Sequence, residues 1–182
     1  VTRLARVVCD GEVDAVPVVF TWPSRGSVFD YLYDRESAMW SRRALEDLVR
    51  DAARDHEVSE VTILAHSMGA WLAAEALRGI AMRDGRIPKK ITDVVFASPD
   101  IDIDVFRRQF VEMGSERPRF TVFATRRDKA LGLSRWLAGD IGRLGTAGEM
   151  PSPAVLQALG VTVVDTSDVP STGPLRHTDF AD

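Results

Sequence analysis

Five short runs of almost continuous apolar, largely β-branched residues punctuate the chain: Val16 to Trp22, Val61 to His66, Ile91 to Ser98, Phe120 to Thr125 and Val161 to Thr166. A run without polar alternation is the pattern of a strand buried on both faces. The stretches between the runs are amphipathic. From Glu36 to His56, residues Leu45, Leu48, Val49 and Ala52 share one helical face. Met68 to Arg83 predicts a second helix, closed by Gly85 and Pro88. Asp102 to Met113 and Lys129 to Leu137 predict shorter ones. Gly139 to Pro153, rich in Gly and Pro, reads as a surface loop, and Pro170 to Pro174 as another that leads to His177. Strands alternating with helices predict an α/β fold, a mostly parallel sheet with helices on both faces.

Length and composition narrow the picture. The 182 residues suit one domain around a single core. Hydrophobic residues make up 45% and charged residues 27%, and the formal net charge is −4. No long basic run calls for nucleic acid or an anionic membrane surface as partner. No stretch reaches the roughly 18 apolar residues of a membrane span. Cys9 is the only cysteine, so no disulfide forms within the chain. That favours the cytoplasm without excluding the periplasm. The chain opens on Val1 with no signal pattern, so an exported or lipoprotein form would need a leader before Val1. Metal-ligand spacing, a phosphate-binding loop and a dinucleotide glycine motif are all missing from the sequence, which predicts neither metal nor cofactor. Oligomeric state is left open.

The chemistry concentrates at Val61-Thr-Ile-Leu-Ala-His-Ser-Met-Gly-Ala70, a strand running straight into a helix with Ser67 at the junction. Such a turn strains the backbone of the nucleophile and projects its Oγ above the sheet. Strand and helix approach closely there if small residues stand two before and two after the serine, and Ala65 and Gly69 meet that need. Ala70, Ala73 and Ala74 then let the helix lie near the sheet. The Met68 N–H, at a helix N-terminus, is aimed at a developing oxyanion. The competing structural role for Ser67 is that of a simple helix N-cap.

A serine hydroxyl needs a base, and histidine suits neutral pH. The chain has 3 histidines. His56 reads as a solvated helix end. His66, adjacent to the serine at a strand end, points its side chain away from it and reads as a support for the elbow. His177 follows the last strand, where a base can fold back over Ser67, and the order serine, acid, histidine agrees. The acid belongs just past a later strand, to orient the imidazole. Asp128 follows the run Phe120 to Thr125 and is preferred, with capping of Lys129 to Leu137 as its competing role. Asp100 and Asp102 follow the run Ile91 to Ser98 and read as caps of the next helix. After Val16 to Trp22, residues Trp22, Ser24, Arg25, Phe29, Tyr31 and Tyr33 either line a substrate groove or pack a loop onto the body. Arg25 either binds an acyl carboxylate or pairs with Asp34.

The combination of Thr21-Trp22-Pro23-Ser24-Arg25-Gly26, Tyr31-Leu32-Tyr33-Asp34-Arg35-Glu36-Ser37, Ala65-His66-Ser67-Met68-Gly69 and Ser98-Pro99-Asp100 resembles a bacterial α/β-hydrolase group known as domain of unknown function 900. The resemblance spans essentially the whole chain. It implies Ser67 as nucleophile, Asp128 in Arg127-Asp128-Lys129-Ala130-Leu131 as acid and His177 as base. It implies no settled substrate. Members of the group start with a further strand ending in a His-Gly-Tyr-Asn-like loop that would supply the second oxyanion donor. Here Arg3 to Asp10 reads like the helix after that strand, and no His-Gly pair is present. The strand would sit between Val16 to Trp22 and Val61 to His66, and its loss would leave two rows of backbone groups unpaired. The expectation is therefore a single α/β-hydrolase domain over 1–182 that is N-terminally incomplete, or a gap filled by another segment or chain.

The function expected is that of a serine hydrolase, esterase-like, acting through an acyl-enzyme on a small acyl substrate. A thioester or amide substrate would use the same groups. The rival expectation is a catalytically silent hydrolase fold used for binding or assembly. The distance from Ser67 to His177 discriminates the two.

Overall fold

In the computed structural model, which describes residues 13–125, 144, 156 and 158–168, four of the five apolar runs are strands. They are β1 (Val61–His66), β2 (Ile91–Ala97), β3 (Arg119–Ala124) and β4 (Val161–Asp165). The strands lie side by side in chain order, and each neighbouring pair is parallel. Parallel neighbours require a crossover. Helix α1 (Tyr31–Arg54) precedes β1, α2 (Met68–Asp84) joins β1 to β2, and α3 (Ile103–Glu112) joins β2 to β3. All four strands therefore end on the same edge of the sheet, and the loops that leave them start there.

The core lies between the sheet and this helical layer. Val94 and Phe96 of β2 and Phe120 and Val122 of β3 are buried, alternating with half-buried Val95 and Thr121. Phe106 and Phe110, one helical turn apart on α3, close on Phe96 and Phe120. Phe110 meets Phe120 edge to face at 5.2 Å, and Phe96 meets Phe120 at 5.6 Å. Such pairs add to the area they bury. Helix α2 presents Ala70, Ala73, Ala74, Leu77 and Ile80 to the same core. Its small residues permit the close approach expected of them, and Gly85 ends it in the left-handed conformation at φ 74°.

Helices α1 and α2 are fastened by a buried carboxylate. Glu46 is fully buried and pairs with Arg83 at 2.5 Å and with Arg42 at 3.2 Å. A Cβ on Gly79 would collide with Glu46 Oε1, so any larger residue there makes the carboxylate shift. Arg50 and Asp84 add a two-pronged pair nearby, at 2.9 and 3.0 Å.

Three expectations change. Val16 to Trp22 is not a strand, and Val16, Val18 and Val19 are 89, 67 and 47% exposed. A strand needs a neighbour to satisfy its backbone. Among the described residues β1 pairs only with β2, so no strand stands between this segment and the sheet. Helix α1 starts at Tyr31 rather than Glu36. Its first turns carry no apolar stripe because Leu32, Tyr33 and Trp40 face solvent. Within Gly139 to Pro153 only Leu144 is described; it is fully buried, with its N–H on the Ile101 carbonyl at 2.9 Å, so that position is not surface. The helices expected at Arg3 to Asp10 and Lys129 to Leu137 lie outside the described residues. Among the described residues no helix is long and apolar enough to cross a membrane.

Candidate active site

Strand β1 ends at His66 and α2 begins at Met68, which leaves Ser67 alone to turn the chain. Its backbone adopts φ 54° and ψ −126°. A residue with a Cβ is held in such a region at a cost of about 1–3 kcal/mol, and such strain gathers at functional sites. Ser67 occupies the N-cap position of α2, yet its side chain makes no cap hydrogen bond. The N-cap role weighed from the sequence is therefore not what this hydroxyl does. Met68 is the first helical residue, where an N–H has no partner within the helix.

The Ser67 peptide groups are held from both sides. Its N–H donates to the Ala97 carbonyl at 3.0 Å, and its carbonyl accepts from Ala70 N–H at 3.0 Å and Asp100 N–H at 3.2 Å. The end of β2 and the loop after it supply one of these bonds each, and that loop is itself bent. Ser98, buried, has φ 44°. Asp102 caps α3 by accepting from Val105 N–H at 2.8 Å, as expected. Asp100 does not share that role: its carboxylate accepts from the Tyr31 hydroxyl at 2.9 Å.

The segment before α1 is fixed by Asp34. This buried carboxylate accepts from Ser24 Oγ at 2.6 Å, Arg25 N–H at 2.8 Å and Gly26 N–H at 3.1 Å. Burial pushes the Asp34 carboxyl up. The bonds from Ser24, Arg25 and Gly26 and the Arg25 charge outweigh it, and the pKa lies below its ordinary value. Ser37 Oγ adds a bond to the Pro23 carbonyl at 2.6 Å. The Arg25 guanidinium lies 4.1 Å over the Tyr33 ring and pairs with Asp30 at 2.9 Å, so of the two readings of Arg25 the link to Asp34 is present, made by the backbone N–H and not by the guanidinium. Ser24 and Arg25 thus build the loop, and Trp22 is the side chain it presents to the elbow. A Cβ on Gly69 would meet the Trp22 ring at 3.5 Å, an ordinary contact. The Trp22 Nε1 is buried, with no hydrogen-bond partner among the described residues.

Ser67 and Met68 thus form the turn, and Trp22 lies beside Gly69, two residues on from Ser67; Ser24 and Arg25 bond to Asp34 in the segment that follows Trp22. Asp128 and His177 lie outside the described residues. Strands β3 and β4 end at the sheet edge where Ser67 sits. His56 is exposed beside Asp55, as expected of a helix end. A cleft of about 450 Å³, lined by Arg54, Arg86, Lys89 and Lys90, opens at the opposite ends of the strands and takes no part in this site. Sequence reasoning missed the Tyr31–Asp100 bond and the anchoring by Asp34. Their only trace was the density of polar residues in the pieces that carry the family resemblance.

The family model for α/β-hydrolases of unknown function (DUF900) matches residues 1–182. The chain belongs to this α/β-hydrolase family. The parallel sheet, the serine turn after β1 and the helix beyond it are the hydrolase fold seen from its own residues. An uncharacterized protein of Nostoc, alr1448, is 37% identical over 60 residues, a stretch that makes up 33% of this chain and 16% of that protein. No solved structure matches the chain.

Proposed function

We propose that this α/β-hydrolase is a serine esterase in which Ser67 is the nucleophile, His177 the base and Asp128 the acid. The observation that supports it is the strained Ser67 backbone at a one-residue strand-to-helix turn, with a hydroxyl not engaged in capping. His177 takes the Ser67 proton as Oγ attacks the ester carbonyl, and the Met68 N–H stabilises the oxyanion. His177 then returns the proton to the departing alkoxide, leaving an acyl-enzyme. Water, deprotonated by His177, releases the acid and restores Ser67. Asp128 holds the imidazole and stabilises its cation. Trp22, beside Gly69, contributes to the acyl-side wall.

Hydrolysis of p-nitrophenyl butyrate by the full-length protein tests this. Ser67→Ala and His177→Ala each reduce kcat by at least about 10³-fold, and Asp128→Asn by about 10³–10⁴-fold. Wild-type turnover in Ser67→Ala would overturn the proposal.

A further inference from the structure

The backbone of Ser67 stays in its sparsely populated conformation only if its surroundings hold it there. The Ala97 carbonyl and the Asp100 N–H grip the peptide groups on the two sides of Ser67, at 3.0 and 3.2 Å. Both lie where the chain leaves β2. The loop there contains a second positive φ, at buried Ser98, whose N–H continues onto the Phe123 carbonyl at 3.0 Å. Two adjacent strained turns, each resting on the other, leave the position of Ser67 dependent on the contacts that fix the loop. Asp100 is where the loop is tied from outside. It is buried, it does not cap α3, and its Oδ2 accepts from Tyr31 Oη, 69 residues earlier in the chain, at 2.9 Å.

We infer that Tyr31 and Asp100 are the positioning pair of the nucleophile. Tyr31, at the first turn of α1, fixes Asp100, and Asp100 fixes the carbonyl side of Ser67 through its own N–H. Neither needs to touch substrate. The same residues couple the elbow to the segment before α1, because Asp34 on α1 anchors Ser24 to Gly26. Trp22 and Ser67 are thus set by one hydrogen-bonded frame. The inference rests on the reading of Ser67 as nucleophile, and its test separates the two.

In the full-length protein, the rate of labelling by a fluorophosphonate probe is resolved into maximal rate and half-saturating concentration. Hydrogen exchange at the amides of Ser67 to Ala70 is followed alongside. Tyr31→Phe lowers the maximal labelling rate about 10-fold, with half-saturation changed less than about twofold, and speeds exchange at the elbow but not in β3. Asp100→Ala does the same. Asp100→Asn, which keeps an oxygen to accept from Tyr31, recovers most of that loss. Wild-type labelling and exchange in Tyr31→Phe would overturn the inference. So would a thousand-fold loss in Asp100→Asn beside a normal Tyr31→Phe, which would make Asp100 a chemical group. If Ser67→Ala labels as fast as wild type, the nucleophile reading fails instead, and elbow exchange in Tyr31→Phe alone then decides the positioning role.

Discussion

Asp34 is buried at the start of α1 and takes a hydroxyl and two backbone N–H groups from the Ser24 to Gly26 segment. Its pKa is held below the ordinary 3.8, so the folded state binds this proton less readily than the unfolded chain. The stability it contributes is full above the ordinary carboxylate range and is lost as pH falls through the lowered folded value. Asp34→Asn, which cannot accept all three bonds as an anion, destabilises the protein by about 1.5–3 kcal/mol at neutral pH. Urea unfolding of the two proteins should show that difference shrinking as pH is brought down to about 3. A gap that stays constant or widens toward low pH would show that Asp34 is not anionic in the folded state. The same substitution loosens the segment that carries Trp22, so labelling at Ser67 should slow with it.

At the scale of elements, two glycines of α2 make opposite predictions. Gly69 faces the Trp22 ring with room for a methyl, and Gly79 faces the Glu46 carboxylate with none. Gly69→Ala therefore keeps the helix-propensity gain of up to about 1 kcal/mol. Gly79→Ala makes the Glu46 carboxylate shift against its pairs with Arg83 and Arg42, and the strain outweighs the same propensity gain for a net cost of about 1 kcal/mol. Urea midpoints that move in the same direction for both variants would contradict the packing described between α1 and α2. The elements themselves were legible wherever local pattern decides them: β1 was read with its observed ends, and β2, β3, β4, α2 and α3 within a residue. The run Val16 to Trp22 carries the same apolar, β-branched pattern and is no strand. Strand formation depends on a neighbour to pair with, and the run itself holds no record of one. The early start of α1 was hidden for a related reason, since Leu32, Tyr33 and Trp40 break the helical stripe by facing solvent. Gly69 was expected to be demanded by strand–helix contact, and the structure places an indole there instead.

For the molecule as a whole, the parallel order β1-β2-β3-β4 gathers the strand ends, and with them Ser67 and Asp100, on one edge. The elbow was legible because strand, serine and helix are contiguous in sequence. The frame around it was not, because Tyr31 meets Asp100 across 69 residues and Asp34 reaches back to Ser24 through a turn. Family membership fixes the hydrolase fold, while the esterase chemistry proposed above rests on Ser67. The most direct measurement is peptide mapping of the full-length protein after reaction with a fluorophosphonate. One phosphonyl group per chain, borne by Ser67 and lost in Ser67→Ala, is the expected outcome. An adduct on any other residue, or no adduct in folded protein, would refute Ser67 as the nucleophile.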